Sequence, residues 1–327
     1  MIRLRQLSVL ALVAAFCSCS RNSAADVNPP VTPPPPDSLS AGWARLTAPS
    51  TVINDIFFAS DQLGYIASNG ALYRSDNAGN SWARMTVSIP TGNLTFGNIG
   101  ASEQRSAFTA QSPYTFYSTN GTNVQGQLQS TIGGQSGFSD VFFASVDTVF
   151  FSSGQYIWRS LTGGADADTI YNFRSTTGPE NALYFLNGYR GWVMRAGRIH
   201  RTTDGGLSWT AGFDGGTAGS NNYGALSFFS AQQGFFTVNG RLYRTDDAGA
   251  TATQVYNFGF NGFVDIHFFN AQNGYACAGN RVYRTTNGGS SWTTVATTGT
   301  GTLVELHFVD ATHGWAAGNG ALLRFNP

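Results

Sequence analysis

The chain contains no lysine: its 18 basic residues are all arginine, and 18 acids balance them to a formal net charge of +0. Charged residues make up only 11% of its 327 positions, so there is no basic field to attract nucleic acid and no acidic tail to attract basic partners. Glutamate is nearly absent as well, with Glu103, Glu180 and Glu305 the only ones. Of the 3 cysteines, Cys17 and Cys19 lie near the N-terminus and Cys277 stands alone, which excludes an internal disulfide in the body. The apolar run Leu7–Phe16 is too short to span a bilayer. What is abundant is glycine and aromatic residues: 40 Gly, 25 Phe, 13 Tyr and 7 Trp, within a hydrophobic content of 42%. That much apolar surface excludes disorder for the body, and aromatics with glycines and few charges suit an all-β repeat fold.

Residues 1–19 read as an export signal, with Arg3 and Arg5 ahead of the apolar run and Cys17-Ser18-Cys19 after it. A cysteine in that position resembles a bacterial lipoprotein signal. Cys19, which follows the small Ser18, is the expected lipidated residue; Cys17, which follows Phe16, is the alternative. The competing reading is an ordinary secreted protein with incidental cysteines. Residues 20–40 include a run of prolines between Asn28 and Asp37, an extended, semi-rigid spacer. Lipid and spacer together imply a membrane-anchored protein of the cell envelope, periplasmic or at the cell surface, with a folded body over 41–327.

Self-similarity decides the fold of that body. Asp55-Ile-Phe-Phe aligns without gaps through Tyr65 with Asp265 to Tyr275 and with Glu305 to Trp315. Weaker copies begin at Asn98, Asp140, Ala182 and Ala225, so copies recur every 40 to 43 residues. Each copy carries an aromatic residue ten positions after its start and, in all but one, an arginine nine positions later. Each reads as four short strands, a to d, with Gly/Asn turns such as Asn69-Gly70 and Asn239-Gly240 between b and c. Strand d is expected to carry Trp82, Trp209 or Trp292. Four strands in about 40 residues is a propeller blade. The last copy stops after strand c, while Gly42-Trp43-Ala44-Arg45 matches the strand-d sequence Ser81-Trp82-Ala83-Arg84. We therefore expect a monomeric, seven-bladed, all-β propeller of four-stranded antiparallel blades, with its last blade completed by the N-terminal strand.

Between strands c and d, Thr202-Thr203-Asp204-Gly205-Gly206-Leu207-Ser208-Trp209 fits the Asp-box pattern at every position. The chemistry is a tight turn: the carboxylate accepts backbone N–H groups, glycine supplies positive φ and Trp packs inward. Other copies are degraded. Asn77 and Asn287 replace the acid beside Gly79, Trp82, Gly289 and Trp292, while Asp247 and Gly249 persist without a Trp. Asp-boxes occur in sialidases, xyloglucan hydrolases, sortilin-type receptors and photosystem II assembly-factor propellers. Over about residues 42–327 the chain resembles the last group most, and that resemblance implies a scaffold that binds partner proteins.

Several residue sets could carry chemistry. Asp55, Asp140, Asp265 and Glu305 recur at the start of strand a and would ring one face, as a ligand face or as strand caps. Asp265, His267, Glu305 and His307 occupy equivalent places in neighbouring blades and are chemically adequate metal ligands; interblade packing is the reading adopted, with no metal and no cofactor. The arginine column Arg74, Arg159, Arg201, Arg244, Arg284 and Arg324 could bind an acidic partner or glycan, or bond turn carbonyls. A sialidase would require Phe/Tyr-Arg-Ile-Pro, and the nearest sequence is Phe173-Arg174-Ser175-Thr176. No catalytic set emerges. The expected function is a non-catalytic scaffold for a protein or extracellular glycan ligand, contacted through d–a loops such as 88–93 and 214–222. A carbohydrate-active enzyme or lectin is the alternative.

Overall fold

The computed structural model describes residues 38–88, 94–110, 114–128, 140–174, 180–216, 224–259 and 262–327. Residues 1–37, which include the expected export signal with Cys17 and Cys19 and most of the proline spacer, lie outside these residues, as does much of the two d–a loops singled out above.

The described residues form seven antiparallel blades and no helix. Blade 1 shows the pattern. Its strands a, b and c are Asp55–Phe58, Gly64–Ser68 and Ala71–Ser75, paired in sequence order. Strand a is innermost, because the strands a of successive blades meet around the ring. The a–b and c–d turns therefore open on one face, and the b–c and d–a connections on the other. Strand a is buried except at the half-buried Phe57, while strand b is buried along its whole length, being covered by blades on both sides.

The repeat's conserved spacing has a packing cause. The last Phe of strand a stacks on the strand-b aromatic of the preceding blade: Phe58 on Trp315 at 3.5 Å, Phe185 on Phe150 at 3.8 Å, Phe228 on Trp192 at 3.8 Å and Phe268 on Phe235 at 3.7 Å. The other side of each ring lies on the glycine that opens strand b of its own blade. A Cβ at Gly64, Gly191 or Gly234 would come within 2.5 Å of that Phe, and one at Gly274 within 2.7 Å. Gly191→Ala is therefore expected to cost about 1–3 kcal/mol, because Phe185 is already pressed against Phe150 and has nowhere to retreat. Thermal unfolding of the variant measures this, and an unchanged melting temperature would contradict the sandwich.

The ring closes as expected from the sequence. Blade 7 comprises Thr302–Phe308, Gly314–Asn319, Ala321–Phe325 and, outermost, Trp43–Arg45. Trp43 pairs with Phe325 and Arg45 with Leu323, antiparallel. The Trp43 side chain is buried among Tyr275, Phe308 and Phe325. The chain reaches this strand along the outer edge of blade 6, where Leu39 bridges Ala296 and Ser40 N donates to Val295 O at 2.9 Å.

Two details differ from the sequence reading. Trp82, Trp209 and Trp292 each stand one residue before strand d, closing the turn rather than riding the strand. In blade 1, moreover, strand d is divided. Ala83–Arg84 pairs with its own blade, but Thr86–Val87 crosses to blade 2 and runs parallel to Asn123–Leu128 as a fifth strand. Met85, between the halves, is buried in the cluster of Tyr65, Phe96 and Phe116 at the junction of the two blades, and this pulls the strand across.

Candidate functional site

The c–d turns share one geometry despite their degraded sequences. In blade 4, Thr202 Oγ1 accepts the N–H of Gly206 at 3.0 Å, and Asp204 Oδ1 accepts the N–H of Ser208 at 2.9 Å. Gly206 has φ +83°, where a side chain would be strained. Asp247 repeats this with Thr251 N at 2.9 Å. Asn77 and Asn287 repeat it with Ser81 N at 2.9 Å and Ser291 N at 3.0 Å, because one amide oxygen accepts as well as a carboxylate. Gly79, Gly249 and Gly289 likewise donate to the Ser or Thr that opens each turn. Trp209 and Trp292 cap the turns by donating to Gly206 O and Gly289 O, both at 3.0 Å. Each turn then hangs on the a–b turn of its own blade, as in Gly205 N to Tyr189 O at 2.9 Å. These residues build turns and leave no group aimed at a ligand.

The strand-a acids are clasps between blades. Asp55 Oδ2 accepts Ile99 N of blade 2 at 2.6 Å, Asp140 Oδ2 accepts Leu183 N of blade 4 at 2.8 Å, and Asp265 Oδ2 accepts Leu306 N of blade 7 at 3.0 Å. Asp140 also receives the Asn98 amide at 3.1 Å. Glu305 shares a hydrogen bond with Asp265. Burial dominates their protonation. It pushes Asp55, 8% exposed, up to about 8 against two backbone N–H bonds that pull the other way. Asp140 and Asp265, which keep some exposure, rise to about 6 for the same reason. Burial, then the charge of Asp265, raises Glu305 well above the usual carboxylate range. Burial thus shifts all four towards the protonated form, Asp140 and Asp265 less far than Asp55.

The neighbouring histidines are also desolvated. His307 Nε2 meets Phe58 O at 2.8 Å across the junction of blades 7 and 1, and burial lowers its pKa to about 4. Burial, then the charge of His307, lowers His267 to about 3. Among the described residues no group of three or more His, Cys, Asp or Glu side chains is arranged to hold a metal ion.

The arginine column lies at the opposite end of the blades, by the c–d turns. Arg74 pairs with Asp76 at 2.6 Å and reaches Asn120 O of blade 2 at 3.4 Å. Arg201 donates to Asp247 O of blade 5 at 3.2 Å, and Arg324 to Asn80 Oδ1 of blade 1 at 3.2 Å. Arg244 pairs with Asp246 in its own turn at 2.8 Å. Arg159 and Arg284 make no hydrogen bond or ion pair among the described residues.

One surface feature escaped the sequence reading. The exposed large apolar side chains among the described residues are Val146, Leu161, Leu186, Tyr189 and Leu207. All belong to a–b or c–d turns of blades 3 and 4. The signal was present in the repeat: Leu161 occupies the turn position of Asp76 and Asp246, Tyr189 that of Gln62, Gln232 and Gln272, and Leu207 that of Asn80 and Ala250.

No known protein-family profile and no curated protein matches this sequence. Solved structures do match the fold. YCF48 from Cyanidioschyzon merolae is 18% identical, with a TM-score of 0.72 over 88% of this chain and 99% of that one. YCF48 bound to D1 peptide is 15% identical, with a TM-score of 0.71 over 89% and 99%. A streptogramin B lyase structure is 12% identical, with a TM-score of 0.70 over 88% and 99%. The chain is thus similar in architecture to both binding propellers and an enzyme.

Proposed function

We propose that this chain is an exported, lipid-anchored, non-catalytic propeller that binds a segment of another protein. The observation that carries this reading is the occupation of the strand-a carboxylates. Asp55, Asp140 and Asp265 each hold a backbone N–H of another blade, and Glu305 is hydrogen-bonded to Asp265. A bonded carboxyl pair is closer than the ~5 Å or more that glycoside hydrolysis requires between its two acids. The likeness to YCF48 in complex with a D1 peptide supports a peptide or protein partner on this architecture. Lipidation at Cys19, with Cys17 as the alternative, and the proline spacer support display from the membrane of the cell envelope.

A panel of aryl glycosides, sialosides and xyloglucan oligosaccharides, with a glycan array, tests the reading on the full chain. We expect no turnover and no glycan retention; turnover abolished by Asp140→Asn or Asp265→Asn would replace the scaffold with an enzyme. Labelled palmitate should enter the wild type and Cys17→Ser but not Cys19→Ser, and a wild type without label would remove the anchor.

A further inference from the structure

We infer that the a–b and c–d turns of blades 3 and 4 form a docking surface for a protein segment that combines apolar side chains with a carboxylate. This rests on the binding-propeller reading and specifies its face and its partner's chemistry.

The surface is a local departure from the repeat. Leu161 is 62% exposed, Tyr189 72% and Leu207 55%, and Val146 and Leu186 extend the same patch. Scattered exposed apolar residues need no explanation, but here they share one face of two adjacent blades, and Leu161, Tyr189 and Leu207 stand at positions that are polar or small in sister copies. Nothing in the fold requires them there, since Gln62, Gln232 and Gln272 serve at the position of Tyr189.

The same substitution pattern frees positive charge. In blades 1 and 5, Asp76 and Asp246 neutralise Arg74 and Arg244. In blade 3 the equivalent residue is Leu161, so Arg159 has lost that partner, and its cross-strand neighbour Asp168 makes no ion pair with it. Arg159 points across the blade junction: a methyl group added at Gly205 would stand 3.5 Å from its Nη1, and Gly205 N is bonded to Tyr189 O. Arg190, next to Tyr189, has a guanidinium with no partner among the described residues. The acids of the same turns are engaged: Asp147 with Arg105 at 2.8 Å, Asp204 with Ser208 and Asp166 with Thr162. Tyrosine and arginine are enriched at protein interface centres, and the exposed leucines beside them add apolar area to bury. Two unneutralised guanidiniums select a partner carboxylate. The turn acids make an anionic bilayer a poor occupant, because they would face its headgroups.

The test is panning of a phage-displayed library of random peptides on the full chain, followed by anisotropy titration of the enriched peptides. The comparison protein is L161D/Y189Q/L207N, which installs the residues of sister copies. It should melt as the wild type does, and Tyr189→Gln alone serves if it does not. Enriched peptides should carry Leu, Phe or Trp with Asp or Glu, and bind the triple variant about tenfold or more weakly. Enriched peptides that bind the variant equally would overturn this surface while leaving the binding propeller intact. No enriched peptide would overturn both. Peptides enriched in basic residues would overturn the charge assignment. Cosedimentation with phosphatidylcholine/phosphatidylglycerol vesicles that the variant loses would assign the patch to a membrane. A concentration-dependent dimer that the variant loses would assign it to a second copy.

Discussion

Deleting residues 41–48 should abolish cooperative folding of the propeller, and Trp43→Ala alone should lower its melting temperature by about 10 °C. The deletion removes the fourth strand of blade 7 and exposes the pairing edge of Ala321–Phe325. It also removes Leu46, which packs with Ile56 and Trp315 at the junction of blades 7 and 1. The point substitution empties a site bounded by Tyr275, Phe308 and Phe325, and loss of a buried Trp costs about 3–5 kcal/mol. For a chain of this size each kcal/mol is worth about 2–4 °C. Circular dichroism melts of the full chain and the two variants decide the matter; a deletion that melts like the wild type would mean that the ring stays closed without its strap.

The second large effect is a loss of stability as the solution becomes alkaline. Asp55, Asp140 and Asp265 have folded pKa values above their unfolded ones, so their contribution is fully present below about pH 4. It is lost as the pH rises through about 6 for Asp140 and Asp265 and about 8 for Asp55. A two-unit elevation corresponds to about 3 kcal/mol once the group ionises in both states. The histidines act in the opposite sense. His267 and His307 have folded values lowered to about 3 and about 4, so their contribution is complete above about pH 6.5 and fades as the pH falls. Between pH 7 and pH 9 the histidines no longer change, whereas Asp55 and the Cys277 thiol, which burial raises well above its ordinary value, both lose their contribution as the pH rises, and the melting temperature should fall by several degrees. Asp55→Asn keeps an acceptor for Ile99 N and removes the ionisation, so its melting temperature should fall less over the same interval. Equal slopes for the two proteins would exclude Asp55 as the titrating group.

The sequence made the blade legible because the repeat is a packing unit. Phe58, Gly64 and Trp315 recur at fixed spacing since each ring needs a glycine beneath it and an aromatic above it. Closure was legible because Trp43 carries a strand-d signature without a strand c before it. The passage of Thr86–Val87 to blade 2 was not, since nothing in a periodic pattern tells which sheet a strand joins after Met85. The strand-a acids were visible as a set, but not their use: a ring of carboxylates reads alike whether it faces a ligand or holds the N–H of Ile99, Leu183 and Leu306. The blade 3–4 patch is legible only in reverse, as turn positions where the repeat departs from itself.

The pairing of Trp43 with Phe325 also fixes an order of events in the cell. The closing strand leaves the ribosome long before its partner exists, by on the order of 15 to 60 seconds at ordinary synthesis rates. During that wait the early blades have no complete ring, and closure of so long a loop is intrinsically slow. Until the strand returns, Ala321–Phe325 presents an unpaired edge that accepts the same strand from another copy as readily as its own. Exchange of the strand between copies at that stage is a low-cost route to dimers, and slower closure leaves more time for it.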